Sequence, residues 1–270
     1  MLPDDVDAAA AALLASDWGD RRTWFGFATV HPACRTIVAE DDDGIVGTGV
    51  GTRNGSAGWV GTIWVAPRLR RRGLGRELTD VVCADLAARG CRTLVLVATP
   101  AGRLLYETMG FDVVDEYVTF ERASSEGDAV PEGIRQFAAA DVEMAAALDA
   151  AATGEDRAHL IAAFAEIPGG LALPRDDGRI AGFCVRAPWG GGATIAPDAA
   201  AALTLLRARL ASGGPGHRVR AGTLASNETG LALLRADGWS EAWRAPRMQR
   251  GEPLAWIPSA IWGQFNHAVG

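Results

Sequence analysis

Two hydrophobic rhythms run along the chain. Residues 5–15 space alanine and leucine at helical intervals behind an acidic start, and residues 21–28 form a second, shorter helical or turn-like segment. Apolar, β-branched runs follow at 34–40, 45–52 and 59–65, separated by the hairpin signals Asp41-Asp42-Asp43-Gly44 and Asn54-Gly55. The pattern then turns helical over 76–88 and reads as a buried strand over 92–98. A short helix follows, opened by Pro100 and ended by Gly110, and a last strand lies near 117–121. Residues 123–128 are small, polar and glycine-containing, the composition of a linker. Beyond them the plan returns in weaker form. A strand starts at 133–135, and Asp141 N-caps an alanine-rich helix. Strands at 170–174, 180–186 and 192–195 precede a helix over 198–210, a strand over 218–223 and a helix from Asn227 to Gly238. The pattern predicts an α/β (α+β) chain of two related units: 1–122, a linker over 123–130, and 131–270.

The junction of the third strand and the following helix carries the strongest chemical signal. It reads Arg70-Arg71-Arg72-Gly73-Leu74-Gly75-Arg76. A strand, a glycine turn and a helix start present backbone N–H groups without intrahelical partners to an anion, at the positive end of the helix dipole. Gly73 and Gly75 let a pyrophosphate approach the backbone, and the arginines add fixed charge. A P-loop is excluded, because the chain has no lysine and no Gly-x-x-x-x-Gly-Lys run. The dinucleotide fingerprint is absent in the right order, and no acidic residue ends a following strand.

The Arg-x-x-Gly-x-Gly run after a strand resembles motif A of the GCN5-related N-acetyltransferases, the GNAT superfamily. Leu105-Tyr106-Glu107-Thr108-Met109-Gly110-Phe111 resembles motif B. The helix ending of the second half parallels motif B, with Asn227 where the family favours asparagine and Leu234 in the place of Tyr106. Residues 195–203 hold no arginine-glycine loop. The tail, with Arg247-Met248-Gln249-Arg250-Gly251 and Ile261-Trp262-Gly263-Gln264-Phe265, looks like that of tandem GNAT proteins with an intact first domain and a divergent second one. The resemblance implies two tandem folds, each a central mixed, mostly antiparallel sheet flanked by helices. The second is degenerate and contributes to the acceptor cleft.

The same resemblance implies an acetyl-CoA-dependent N-acetyltransferase acting on a small-molecule amine in a ternary complex. The backbone of Ile63, Trp64 and Val65 would pair with the pantetheine arm. Arg70, Arg71, Arg72, Gly73, Leu74, Gly75 and Arg76 would bind pyrophosphate. Thr99, Gly102 and Tyr106 would complete the coenzyme A site, with Tyr106 as general acid toward the departing thiolate. Thr99 and Pro100 stand where the family often has asparagine. The first helical region, with Trp18, Trp24 and Phe25, would line the acceptor side. The motif A strand lacks the usual glutamate, which leaves Glu40, Glu116, Glu121, His31, His217 and His267 as candidate bases. Two alternatives keep the fold: a non-catalytic coenzyme A or metabolite sensor, and a transferase of another acyl group.

Composition narrows the field. A net charge of −7 argues against nucleic acid, and no apolar run is long enough to predict a membrane span. The four cysteines have no metal-ligand or redox spacing, and the acidic N-terminus lacks a basic leader pattern, so a cytoplasmic protein without bound metal is expected. Exclusive use of arginine over lysine suggests a GC-rich bacterial source. The internal repeat favours a monomer or a weak homodimer.

Overall fold

The computed structural model describes all residues, 1–270, as two compact units. The first comprises Met1–Asp112, Met248–Pro253 and His267–Gly270; the second comprises Val113–Arg247 and Leu254–Asn266. These limits differ from the expected break at 122. Strand β5 (Asp112–Ala123) pairs antiparallel with β10 (Arg218–Leu224) from Tyr117↔Leu224 to Ala123↔Arg218, so its backbone hydrogen bonds belong to the second unit. The expected linker is also ordered. Ser124 N–H donates to His217 O (2.9 Å), and Arg122 pairs with Asp128 at 2.7 Å.

In the first unit, helices α1 (Val6–Leu14) and α2 (Arg22–Val30) precede the strands β1 (Cys34–Asp41), β2 (Gly44–Asn54) and β3 (Ala57–Val65). These strands run antiparallel in sequence order, as the two hairpin signals predict. Helix α3 (Leu74–Ala88), strand β4 (Thr93–Val97) and helix α4 (Pro100–Glu107) follow. Strand β4 lies parallel to β3, and its edge meets the end of β11 (Ser240–Gly251), where Thr93 Oγ1 donates to Glu252 O at 2.7 Å. Arg250 latches the end of α4: it donates to Met109 O (2.9 Å), and its guanidinium stands 4.8 Å from the centre of the Phe111 ring.

What places α3 is a stripe of small residues in β2. A Cβ at Gly47 would come within 2.8 Å of Leu78, and one at Gly49 or Gly51 within 3.1 and 3.0 Å of Val82. The missing side chains let the buried face of α3 (Leu78, Thr79, Val82, Cys83 and Leu86) settle directly on the sheet. Val60, Leu94, Leu96 and Met248 complete that core. Truncating Val82 or Leu86 to alanine would cost about 1–5 kcal/mol by the usual range for buried aliphatics.

The second unit holds α5 (Val142–Thr153), α6 (Ala158–Phe164), α7 (Ala199–Ser212) and α8 (Glu228–Ala236). Its five-stranded antiparallel sheet has the order β12–β9–β8–β7–β6. These strands are β6 (Arg135–Gln136), β7 (Leu171–Pro174), β8 (Ile180–Arg186), β9 (Gly192–Ile195) and β12 (Ile261–Gly263). Helix α6, strand β11 and strand β12 were not foreseen in the sequence. The core joins Leu205, Leu206, Leu234 and Trp239 to Val118 and Phe120 of β5. A buried ion network stiffens this unit: Arg157 binds both oxygens of Asp149 (2.5 and 2.9 Å), and Arg247 reaches the Tyr117 hydroxyl (2.5 Å) and Glu155 (3.4 Å). Burial opposes the Arg157 charge, but Asp149 more than compensates and holds its pKa above the ordinary value.

Candidate cofactor and acyl-transfer site

Strand β3 has one paired edge and one that opens. On the β2 side its register runs Asn54↔Ala57 to Val50↔Gly61, then resumes at Thr48↔Trp64 with one extra residue in β3. The bulge contains Thr62, a non-glycine residue at φ 51°. Thr48 Oγ1 donates to Thr62 O (2.8 Å), and Trp24 Nε1 donates to Thr62 Oγ1 (3.0 Å), so the bend is braced from two sides. On the other side, β4 pairs with β3 only at Ala57, Gly58 and Trp59. Beyond Trp59 the backbone of residues 60–65, including Ile63, Trp64 and Val65, has no strand beside it on that edge. An unpaired edge of this kind accepts an extended ligand as an added strand.

The arginine-glycine turn lies just past this edge. Arg71 takes φ 62° and Gly73 φ 94°, and Gly73 is the N-cap of α3 without a side-chain cap. The amides of Arg76 and Glu77 both return to Gly73 O, at 2.9 and 3.1 Å. Those of Arg71, Arg72, Gly73, Leu74 and Gly75 donate to no atom of the chain. A Cβ at Gly75 would meet only Leu105 and Val65, each at 3.7 Å, which leaves open approach to the backbone. The charges are equally available. Arg68 pairs with Asp41 (2.7 Å) and Asp43 (3.3 Å), whereas Arg70, Arg71, Arg72 and Arg76 face no carboxylate. Arg70 Nε donates to Val65 O (3.1 Å), tying the turn to the strand, and Arg76 binds the Thr108 hydroxyl at the end of α4. Five donor amides at a helix N-terminus with four uncompensated guanidinium groups suit a pyrophosphate. The residues present therefore fit the phosphate and pantetheine portions of coenzyme A.

Tyr106 is buried, with its ring edge-on to Phe111 at 6.1 Å and against Gly102, where a Cβ would come within 3.0 Å. Burial pushes its hydroxyl up to about 12, assisted by Cys83 and opposed by the Thr79 hydroxyl. Burial likewise pushes the Cys83 thiol up to about 11, against the pull of Arg250. Thr99 has a definite local role: its Oγ1 accepts from Gly102 N–H at 3.1 Å and caps α4, as the Asn227 side chain caps α8 by accepting from Gly230 N–H at 3.0 Å.

The expected acceptor-side aromatics divide. Phe25 has no exposed surface and is a core residue of α2, so it cannot line an open pocket as expected from sequence. Trp24 is also buried and holds the bulge through its indole, while Trp18 is half-buried. The candidate bases scatter. In the second unit Glu116 pairs with Arg244 (3.1 Å), and Glu121 with Arg220 (2.6 Å). Glu40 is exposed, and His31 Nδ1 accepts from Ala33 N–H at 3.2 Å. His267 alone belongs to the segment against β3. A Cβ at Gly61 would fall inside van der Waals distance of Ala268, and Asn54 Nδ2 donates to Val269 O at 2.9 Å. Sequence patterns give no sign that His267–Gly270 would lie there, because the contact joins positions about 200 residues apart.

Comparison with known proteins agrees with this geometry. Residues 32–113 match a family described as an acetyltransferase (GNAT) domain, and residues 145–262 match a second family of the same description. A mycothiol acetyltransferase of Clavibacter sepedonicus is 32% identical over 161 residues, 53% of this chain and 53% of that protein, so the match spans about half of the curated relative. A putative acetyltransferase from Pyrococcus horikoshii superposes with TM-score 0.84 at 20% identity over 100% of this chain and 94% of the other. A tandem GNAT protein from the clavulanic acid biosynthesis pathway gives TM-score 0.59 at 15% identity, covering 94% and 98% of the two chains. These two structures share the fold. With two GNAT domain matches that together span most of its length, the chain belongs to the GCN5-related N-acetyltransferase superfamily as a tandem protein.

Proposed function

We propose that the first unit binds acetyl-CoA and promotes transfer of the acetyl group to the amine of a small molecule by direct attack. One observation carries this reading: the open edge of β3 beyond Trp59 leads straight to a turn with five unpartnered amides and four unpaired arginines. Acetyl-CoA supplies the activated acetyl thioester. The chain's own residues do the rest. Arg70, Arg71, Arg72 and Arg76, with the amides of Arg71 to Gly75, hold the pyrophosphate. The backbone of Ile63, Trp64 and Val65 aligns the arm, and an N–H near Val65 polarises the acyl carbonyl. Tyr106 keeps its proton across the working pH range and is the group that protonates the departing sulfur.

The acceptor is an amine of a small molecule, a reading that the partial match to a mycothiol acetyltransferase supports. The protein acts in the cytoplasm as a monomer or weak homodimer, without nucleic acid or membrane as partner. No helix is long and apolar enough to cross a membrane, and the net charge of −7 disfavours nucleic acid. Calorimetric titration with acetyl-CoA tests the reading: one site per chain is expected, followed by release of free thiol when amines are added. Absence of binding would overturn it, and binding without thiol release to any amine would favour a sensor.

A further inference from the structure

The second unit repeats the order of the first. Elements β9, α7, β10 and α8 follow one another as β3, α3, β4 and α4 do. In the first unit the cofactor site has two parts, an open strand edge and an uncapped helix N-terminus. In the second unit the chain's own atoms fill both.

The strand edge is taken by β12. One edge of β9 belongs to β8, and β12 lies antiparallel along the other, with Ile261 opposite Ile195 and Gly263 opposite Thr194. Ala196 N–H donates to Ala260 O at 3.0 Å, and Gly192 N–H to Gln264 O at 2.9 Å. Trp262 between them has no exposed surface, and its Nε1 donates to Ala196 O at 3.1 Å. Trp189 Nε1 adds a bond to Phe265 O at 2.8 Å. At the helix start, the Asp198 carboxylate N-caps α7 by accepting from Ala200 N–H at 2.6 Å, so the anion at this N-terminus is part of the chain. Leu234, in the place of Tyr106, is fully buried in the core.

We propose that β12 is a resident strand that closes the second unit to acyl-CoA, leaving this unit a scaffold with a self-filled cofactor slot. Entry of an acyl-CoA would require loss of the two backbone bonds at Ala196 and Gly192, loss of the Trp262 bond to Ala196 O, and exposure of the Trp262 ring. It would also bring a pyrophosphate against the Asp198 carboxylate. The contrast with the first unit rests on the reading of that unit as the acetyl-CoA site.

The test combines hydrogen exchange with binding stoichiometry in the full chain. The amides of Ala196 and Gly192 should exchange at least tenfold more slowly than exposed amides, and saturating acetyl-CoA should leave their rates unchanged. Calorimetry should give one site for the native chain and none for Gly73→Glu. A site that survives Gly73→Glu, two sites in the native chain, or acetyl-CoA-driven exposure of β12 would each overturn the closure. No binding to the native chain, with Ala196 and Gly192 still protected, would refute the first-unit reading and leave the closure supported. Trp262→Ala should speed exchange at Ala196 and Gly192 by tenfold or more; unchanged rates would show that β12 does not hold the edge.

Discussion

Trp24 donates its indole N–H to the Thr62 hydroxyl at 3.0 Å, at the residue where β3 adopts φ 51° and leaves regular pairing. Helix α2 thereby fixes the bend in the strand proposed to carry the cofactor arm. Losing this partly buried bond costs about 0.5–1.5 kcal/mol, the usual net worth of one intramolecular hydrogen bond. Trp24→Phe and Thr62→Val should each lower the urea midpoint, and the double variant should lose less than the sum. A coupling energy of about 1 kcal/mol is expected from the cycle. Strict additivity would show that the two residues do not act through this bond.

Gly61→Ala should destabilise the protein by about 1–3 kcal/mol, the range for overpacking. The new Cβ would overlap both Cα and Cβ of Ala268. Adding Ala268→Gly removes only the Cβ part of that clash, so thermal unfolding should show partial recovery. Full recovery would mean that the tail backbone can retreat from β3 at little cost.

Tyr106→Phe should lower kcat by about 10²-fold while leaving acetyl-CoA affinity near its native value, as expected for loss of a general acid. Because burial holds the hydroxyl at about 12, kcat should show no fall near pH 10 from ionisation of this tyrosine. Stopped-flow assays of thiol release across pH 7–10.5 check both points. Unchanged kcat in the phenylalanine variant would make Tyr106 a packing residue.

The first half of the fold was legible because its signals are local. Hairpin turns fixed β1 to β3, Pro100 and Gly110 bounded the motif B helix, and the arginine-glycine turn stands where its sequence places it. Residues whose role depends on distant partners were not legible. Strand β5 follows motif B in sequence but pairs with β10, more than 90 residues later. Strand β12 is three residues long and is stabilised by the edge of β9, so no hydrophobic period announces it. The aromatic residues of α2 show the same limit: helical spacing puts Trp24 and Phe25 side by side, and only packing reveals that one braces the bulge and the other fills the core.

The His267 imidazole should make stability pH-dependent in a defined window. Burial, reinforced by the Arg21 charge, depresses its pKa to about 4, against about 6.5 when unfolded. The neutral form is therefore favoured in the native state, and the unfolded chain takes up the extra proton between these values. Stability is fully present above about pH 6.5 and falls as pH drops toward about 4. The shift corresponds to about 3 kcal/mol at most, since the residue keeps some contact with solvent. Carboxylates also titrate in this range, but they are common to the native chain and to His267→Gln. The difference between the two in urea unfolding free energy, measured from pH 7.5 to 4.5, should shrink steadily as pH falls. A constant difference would place the imidazole in an environment as wet as the unfolded chain and remove burial as the cause of its depressed pKa.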